Sequence, residues 1–496
     1  MKKKFTLLFV YLLLPFLTLQ AQNWTQIGAD INGATGDWLG KSVSLSSDGT
    51  VMAIGAPSGK NHAGYVRVYQ NLSGAWTQVG SDIDGETAWD QSGHSVSLSS
   101  DGTIVAIGAP CRYENMIDAG YVRIYQNLSG TWTQVGADIH GKTGGDEAGF
   151  SVSLSSDGMV VAIGAPRRAG TDEEPASVCI YQNQGGTWTQ VGADINGKDA
   201  NDEIGYSVSL SSNGAVVAIG TPFNRVYNED NIGYVSIYQN QDGTWTQMGA
   251  DIYGEIGSGV SVSLNSDGTV VAIGSPFDSG NGTNFGSVRI FQYQDLSETW
   301  VQVGAIDGES TYENFGGSVS LSSDGKAVAV GARGTNNNRG HVGIFQNEGD
   351  NWTQIGADID GEAEDDASGT SVSLNSNGTV VAIGAPINGG ISVQAGHVRV
   401  FQLSTTDVTS IPTKTISIYP NPTSGLINLE FTGASTSLNA SSIQKLTLYD
   451  ITGKQLVEKL EVNQHETIDL SGFTNGIYIL RIEADCEVFT TRIVKE

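Results

Sequence analysis

The chain has 496 residues, 65 of them glycine and only 16% charged, with 53 acidic against 25 basic side chains and a formal net charge of −28. A surface this acidic repels phosphate backbones and anionic headgroups, which excludes nucleic acid and lipid surfaces as partners. Low charge and abundant glycine amid Ser/Thr/Val-rich runs point to an all-β chain with many turns, while 39% hydrophobic residues suffice for a packed core and argue against disorder.

Residues 1–22 place Lys2, Lys3 and Lys4 before a leucine-rich apolar run and a short polar end at Ala21, the build of a removable secretory signal peptide. The run is too short for a stable membrane span and is broken by Pro15. No cysteine follows it closely, so no lipid anchor is indicated. The mature chain is expected outside the cell or on its outer surface, without membrane insertion, and as a monomer. Cys111, Cys179 and Cys486 are far apart and odd in number, so they are read as small hydrophobes and not as a disulfide framework.

From residue 23 the sequence repeats. A tryptophan recurs at 24, 76, 132, 188, 245, 300 and 352, and Ser-Val-Ser-Leu recurs from Ser42, Ser95, Ser151, Ser207, Ser261, Ser318 and Ser371. In the second copy, HSVSL (94–98) is followed by a Ser-Ser-Asp-Gly turn and TIVAIGAP (103–110). A variable loop then leads to GYVRIYQN (120–127), a turn at Leu128–Gly130, and TWTQVG (131–136). Asp101-Gly102 accepts the positive φ of a tight hairpin, and Asp-Gly or Asn-Gly stands there in every copy, from Asp48-Gly49 to Asn377-Gly378. The continuous apolar run of the second strand suits burial on both faces. Four antiparallel strands in roughly 50 residues is the arithmetic of a propeller blade. Residues 23–403 are therefore predicted to form a seven-bladed β-propeller. Its lone first outer strand, NWTQIG (23–28), should pair with HVRVFQ (397–402), which lacks its own outer partner; that would close the ring and remove two sheet edges. The tryptophans should anchor each blade to its neighbour. A Ser/Thr-rich linker, 404–415, precedes residues 416–496, which read as six or seven short strands of a small Ig-like β-sandwich.

No nucleophile-elbow, zinc-protease, phosphate-loop or paired-cysteine motif occurs, and the six histidines fall at scattered positions, so neither a catalytic residue nor a metal site is expected. Topology puts the uniform Asp-Gly turns at one end of the ring and the variable loops at the other, among them 111–119, 167–175 and 223–232. Recognition is expected on the variable face. An acidic position recurs there at Asp37, Asp90, Asp146, Asp202, Glu313 and Asp366, with Ile256 as the exception. Two readings stand open: a ring of carboxylates at the channel mouth that binds cations or sugar hydroxyls, or side chains that accept backbone N–H bonds and fix the interblade loops. The aromatic residues Trp38, Trp89, Tyr113, Phe223, Tyr227 and Tyr312 could stack on sugar rings or fill loop cores.

The pattern GxSVSLSSDGTxVAIGAP followed by GYVRIYQ resembles FG-GAP-type repeats, the blades of integrin-like propellers. Some members bind calcium through a D-x-D-x-D-G loop. Here one carboxylate remains per loop, where calcium takes six to eight oxygens, so the turns are read as turn formers and no cofactor is expected. The tail carries Y-P-N-P (419–422), L-Y-D-x-x-G-K (448–454) and G-I-Y-I-L-R-I (476–482) in order. In this it resembles the C-terminal sorting domain of the type IX secretion system of Bacteroidetes. That resemblance implies passage across both membranes, the secretion machinery as a partner, and removal of the tail. The expected function is a secreted or cell-surface binding or adhesion propeller without catalysis, with a glycan or protein ligand. The alternatives are an extracellular polysaccharide hydrolase or lyase on the same scaffold, or a structural surface-layer component.

Overall fold

The computed structural model describes residues 22–110, 119–166, 176–198, 202–223, 232–279, 283–349, 351–388, 393–405, 415–432, 443–460, 465–484 and 487–496. They form two compact units that divide between Ser404 and Thr405. The signal segment and most of the linker lie outside the described residues.

The first unit contains seven antiparallel sheets among the described residues. In the second repeat the strands are Ser95–Leu98, Ile104–Ala109, Tyr121–Leu128 and Thr131–Gln134, in that order across the sheet. Six of the seven sheets carry an additional short strand that sequence reasoning did not foresee; here Ile139–His140 folds back onto Tyr121 and Val122. The apolar run of the second strand is buried on both faces, with Val105, Ala106 and Ile107 at most 2% exposed. It lies between blades: Ala53, Val66 and Val68 of one repeat pack with Val96, Leu98, Val105 and Ile107 of the next. Seven such interfaces follow one another, and the last unites Leu39, Val43 and Ile54 with Val380, Val398 and Val400. The first unit is a nearly all-β propeller whose seven sheets, counted among the described residues, form a closed ring.

The repeat motif supplies the bonds between neighbours. In Ser-Val-Ser-Leu the first serine hydroxyl donates to a glycine carbonyl of the next repeat, as Ser42 does to Gly93 at 2.8 Å and Ser371 to Gly40 at 2.8 Å. The second serine Oγ accepts the leucine N–H of the next repeat, as Ser44 does from Leu98 at 3.0 Å. One residue past the leucine's following serine, a circle of backbone bonds runs from Ser47 to Ser100, Ser156, Ser212, Ser266, Ser323, Ser376 and back to Ser47, each 2.8–3.0 Å. The ring closes as the sequence requires. Gln22–Gln26 lies beside His397–Thr405, Ile27 N–H donates to the Val400 carbonyl at 2.8 Å, and Ile31 pairs with Val398.

On the rim, each tryptophan indole reaches back to the preceding repeat: Trp132 Nε1 donates to the Val79 carbonyl, Trp188 to Val135 and Trp245 to Val191, all at 2.9 Å. Trp24 joins the circle by donating to Ile355 at 2.8 Å. Trp352 is the exception. The preceding repeat reads Val303-Gly-Ala-Ile-Asp307, one residue shorter than its counterparts. Its outer strand therefore runs unbroken over Thr299–Asp307 with a register shift, and the Trp352 indole nitrogen is buried without an acceptor.

At the Asp-Gly turns, Asp101 Oδ1 accepts the Ser99 hydroxyl at 2.7 Å and the Thr103 N–H at 3.0 Å. Gly102 has φ +70°, and a Cβ there would come within 2.6 Å of Val51 of the preceding repeat. Only glycine lets the turn dock on its neighbour.

The second unit is a β-sandwich. Thr415–Tyr419, Leu426–Thr432 and His465–Asp469 form one sheet, and Gln455–Lys459, Ile443–Asp450, Gly476–Ala484 and Glu487–Lys495 the other. Ile427, Leu429, Leu446, Leu448, Leu480 and Ile493 fill the space between them. Asn421 of the Y-P-N-P motif ties the start of the unit to its last strand, donating to the Arg492 carbonyl at 2.7 Å and accepting the Val494 N–H at 2.8 Å.

Two predictions follow from these bonds. Trp188→Phe should destabilise the propeller by about 1 kcal/mol more than Trp352→Phe, because only Trp188 loses a made hydrogen bond; urea unfolding of the two variants compares them. At the turns, burial raises the Asp101 carboxyl, but the hydroxyls of Ser99 and Thr103 and the Thr103 N–H outweigh it and hold the group below its ordinary 3.8. The unfolded chain therefore takes up that proton first. The stabilisation is complete above the ordinary carboxylate value and is lost as pH falls through the lowered one. Asp101→Asn should flatten this part of the acid-unfolding profile, read as urea midpoints between about pH 2 and 6.

Candidate functional site

The two ends of the ring differ. The uniform end holds a small central cavity of about 160 Å³ lined by Leu45, Leu98, Leu154, their counterparts and the serines beside them. The variable end is broader and chemically mixed.

The recurring acids on that end are buried, not arrayed at a mouth. Asp37, Asp90, Asp146, Asp202, Glu313 and Asp366 are all 8% exposed or less. Each accepts N–H groups of its own interblade loop. Asp90 Oδ2 takes Glu86 at 2.9 Å and Thr87 at 2.8 Å; Glu313 Oε2 takes Glu309 at 2.7 Å and Ser310 at 2.6 Å; Asp366 Oδ2 takes Glu362 at 2.9 Å and Ala363 at 2.7 Å. Asp37, Asp146 and Asp202 do the same. The head of the third strand adds a donor: Tyr65 to Asp37 at 2.5 Å, Tyr121 to Asp90 at 2.7 Å and Tyr234 to Asp202 at 2.9 Å. Burial, and then the carboxylate acceptor, keep the Tyr65 phenol protonated well above its ordinary range. Where Ile256 replaces the acid, the third strand begins with Ser287, whose hydroxyl is buried without a partner. This geometry is that of the loop-fixing reading.

The aromatic residues divide. Trp38 and Trp89 are 38% and 39% exposed and Tyr312 59%. All three hold left-handed φ, +56°, +76° and +61°, a conformation that costs a non-glycine residue about 1–3 kcal/mol. Trp89 stacks on His62 with ring centres 4.2 Å apart. Phe223 is half-buried, and Tyr113 and Tyr227 lie outside the described residues.

Phe223 belongs to a feature that sequence reasoning missed. His94, Phe150, Tyr206, Phe223 and Phe277 follow one another as a chain of ring contacts with centres 4.9, 4.8, 6.0 and 6.1 Å apart. Three of them occupy the residue just before Ser-Val-Ser-Leu, at the variable end of the innermost strand. That position reads Lys41, His94, Phe150, Tyr206, Val260, Gly317 and Thr370, a variable residue in an otherwise uniform segment, and this variability was the available signal. On the blades that carry no aromatic there, an open pocket of about 760 Å³ is walled by Trp38, Ile387 and Val393 and edged by Lys41, Arg333 and Glu364. The Trp38 indole donates to Gln394 Oε1 at 3.4 Å, and Asn337 donates to Glu364 Oε1 at 3.1 Å. An aromatic arc and a pocket of mixed polarity thus share one face.

Cys179 is unsuited to chemistry: burial first, then the neighbouring Asp194 carboxylate, push its thiol up to about 12. The turn carboxylates at Asp48 and Asp101 are engaged by their own turns. Side chains of metal-ligating type do meet at Asp30, Glu362 and His397, three positions that no sequence motif links.

The fold and the tail define an exported β-propeller. Residues 417–496 match the family described as secretion system C-terminal sorting domain. The chain is exported through the type IX secretion system to the cell surface or beyond it, and its tail engages that machinery. No helix among the described residues is long and apolar enough to cross a membrane. No curated protein matches the chain. Among solved structures it is similar to a candidate 6-phosphogluconolactonase of Bacteroides uniformis ATCC 8492 (13% identity, TM-score 0.47, covering 65% of this chain and 85% of that one). It is similar also to Kuenenia stuttgartiensis hydrazine synthase (13%, 0.48, 72% and 94%) and to a candidate 6-phosphogluconolactonase of Bacteroides fragilis NCTC 9343 (13%, 0.46, 69% and 96%). Removing residues 417–496 should leave the propeller in the periplasm of a native-type host, as read by cell fractionation; undiminished surface display would contradict this.

Proposed function

We propose that the chain is a non-catalytic recognition propeller of the FG-GAP type, and that it binds a glycan on its variable face. The observation that carries this reading is the presence on one end of the ring of both the aromatic arc and the pocket beside Trp38. Ring faces offer a flat apolar platform, and a few placed polar groups fix orientation, the usual division of labour in a ligand site. A pocket edged by Lys41, Arg333 and Glu364 mixes both signs, which suits hydroxyl-rich ligands better than strongly charged ones. The left-handed backbone at Trp38 supports the same reading, because strain of this kind concentrates at ligand sites. Adhesion at the cell surface is the role we propose for this binding, and the export route supports it by delivering the chain there.

The second reading, a polysaccharide hydrolase or lyase, draws on Glu364 and Asp365, two carboxylates that line this pocket. The chain without its leader, probed on a glycan array, should bind a restricted set of glycans. Trp38→Ala and Phe150→Ala should each weaken that binding roughly tenfold, the equivalent of about 1.4 kcal/mol. Cleavage of the bound glycan that disappears in Glu364→Gln would favour the enzyme; binding unchanged in both aromatic variants would remove the site from this face.

A further inference from the structure

Three distant segments meet at the seam where the ring closes. Asp30 follows the first outer strand, Glu362 lies between the sixth and seventh repeats, and His397 opens the strand His397–Thr405. One ligand atom from each lies within 4.8 Å of the other two. His397 is 1% exposed. Its Nδ1 faces Glu362 Oε2 from 3.9 Å, beyond hydrogen-bonding reach, and its Nε2 is enclosed with no hydrogen-bond partner.

The other repeats show why this imidazole is orphaned. The residue at the head of the third strand normally meets the buried acid: Tyr65, Tyr121 and Tyr234 donate to theirs, and His341 has Nε2 3.4 Å from Glu313. In the seventh repeat Asn388 donates to Asp366 Oδ1 at 2.7 Å, in the place the head of the strand would use. His397 is turned instead toward Glu362 and Asp30. Gln26 steadies Asp30 by donating to Oδ1 at 2.7 Å. Arg399 lies beside the group, with Nη1 3.9 Å from Glu362 Oε1 and Nη2 donating to the Asp360 carbonyl at 2.5 Å. Glu362 thus offers Oε1 toward the guanidinium and Oε2 toward the imidazole.

We propose that Asp30, Glu362 and His397 bind a divalent transition metal, zinc by preference, that clasps the two ends of the propeller chain. Sequence reasoning anticipated no metal, because each of the three residues stands alone in the primary structure. An imidazole nitrogen favours zinc and its neighbours over calcium and magnesium, which take all-oxygen shells. Three protein ligands and a water complete a tetrahedral zinc site. Asp30 comes from the start of the ring and His397 from its last strand, so the ion holds the seam together and stabilises the closed state by mass action.

The test uses the chain without its leader, stripped by chelator and titrated with zinc. Calorimetry should show one equivalent bound, the unfolding temperature should rise with zinc but not with calcium or magnesium, and cobalt should give a visible absorption band. His397→Ala should weaken zinc binding at least tenfold, whereas His341→Ala should leave it intact. Glu362→Ala, at an exposed position, and the near-isosteric Asp30→Asn guard against misfolding and should each lose the zinc-induced shift. No zinc equivalent in the parent chain, or binding unchanged in the folded Glu362→Ala and Asp30→Asn variants, would overturn the site. Glycan binding is read through its own variants, Trp38→Ala and Phe150→Ala, neither of which supplies a ligand to this site, so its loss or survival in the chelated chain leaves this outcome separate.

Discussion

Two residues past every innermost strand stands a serine whose N–H reaches a serine carbonyl in the next repeat, and the seventh such bond returns to the first serine. A hydrogen bond of this kind is satisfied only when a neighbour stands at the right distance and angle. Seven in a circle can be made together only if the ring is complete. An open array would leave one buried donor and one acceptor unpaired at its ends, and burying such groups without partners is costly. The two side-chain circles built by the serines of Ser-Val-Ser-Leu, and the indole bonds on the rim, impose the same condition at larger radii. Borrowing the N-terminal strand to finish the last blade meets that condition with a single covalent chain.

This constraint explains why one end of the molecule is monotonous and the other is not. The Asp-Gly turns dock on the preceding repeat through a glycine that admits no Cβ, and their carboxylates are consumed by the turn. Little freedom remains there. At the opposite end the buried acids anchor the loop base, which lets the loop tips and the residue before Ser-Val-Ser-Leu vary without disturbing the circles. The aromatic arc and the pocket beside Trp38 occupy the positions so released. The one-residue deletion after Val303 in the fifth repeat shows the tolerance of the rim: one indole loses its acceptor and the ring still closes.

The tail obeys a different logic. Its core is its own, built from alternate residues of two sheets, and its motif residues serve as internal fasteners, Asn421 across to the last strand and Tyr478 back to the Thr474 carbonyl at 2.5 Å. A sorting signal carried by a self-contained sandwich can be read by the export machinery whatever propeller precedes it.

Much of this was legible in the primary structure, because repetition converts a three-dimensional requirement into a visible period. The four main strands of each repeat, the tight turns, ring closure and the tail all rest on local chemistry that recurs: Asp-Gly for positive φ, alternation for a half-buried strand, an orphan strand at each end of the array. The roles of the acids could not be read this way. Asp90 looks the same in sequence whether it faces solvent or accepts Glu86 and Thr87 N–H groups and the Tyr121 phenol, since burial is set by loops that fold over it. Nor could the sequence associate Phe150 with Tyr206, or Asp30 with His397. Those neighbours are produced by the curvature of the ring, which brings residues hundreds of positions apart within a few ångströms, and no local rule of spacing records that distance.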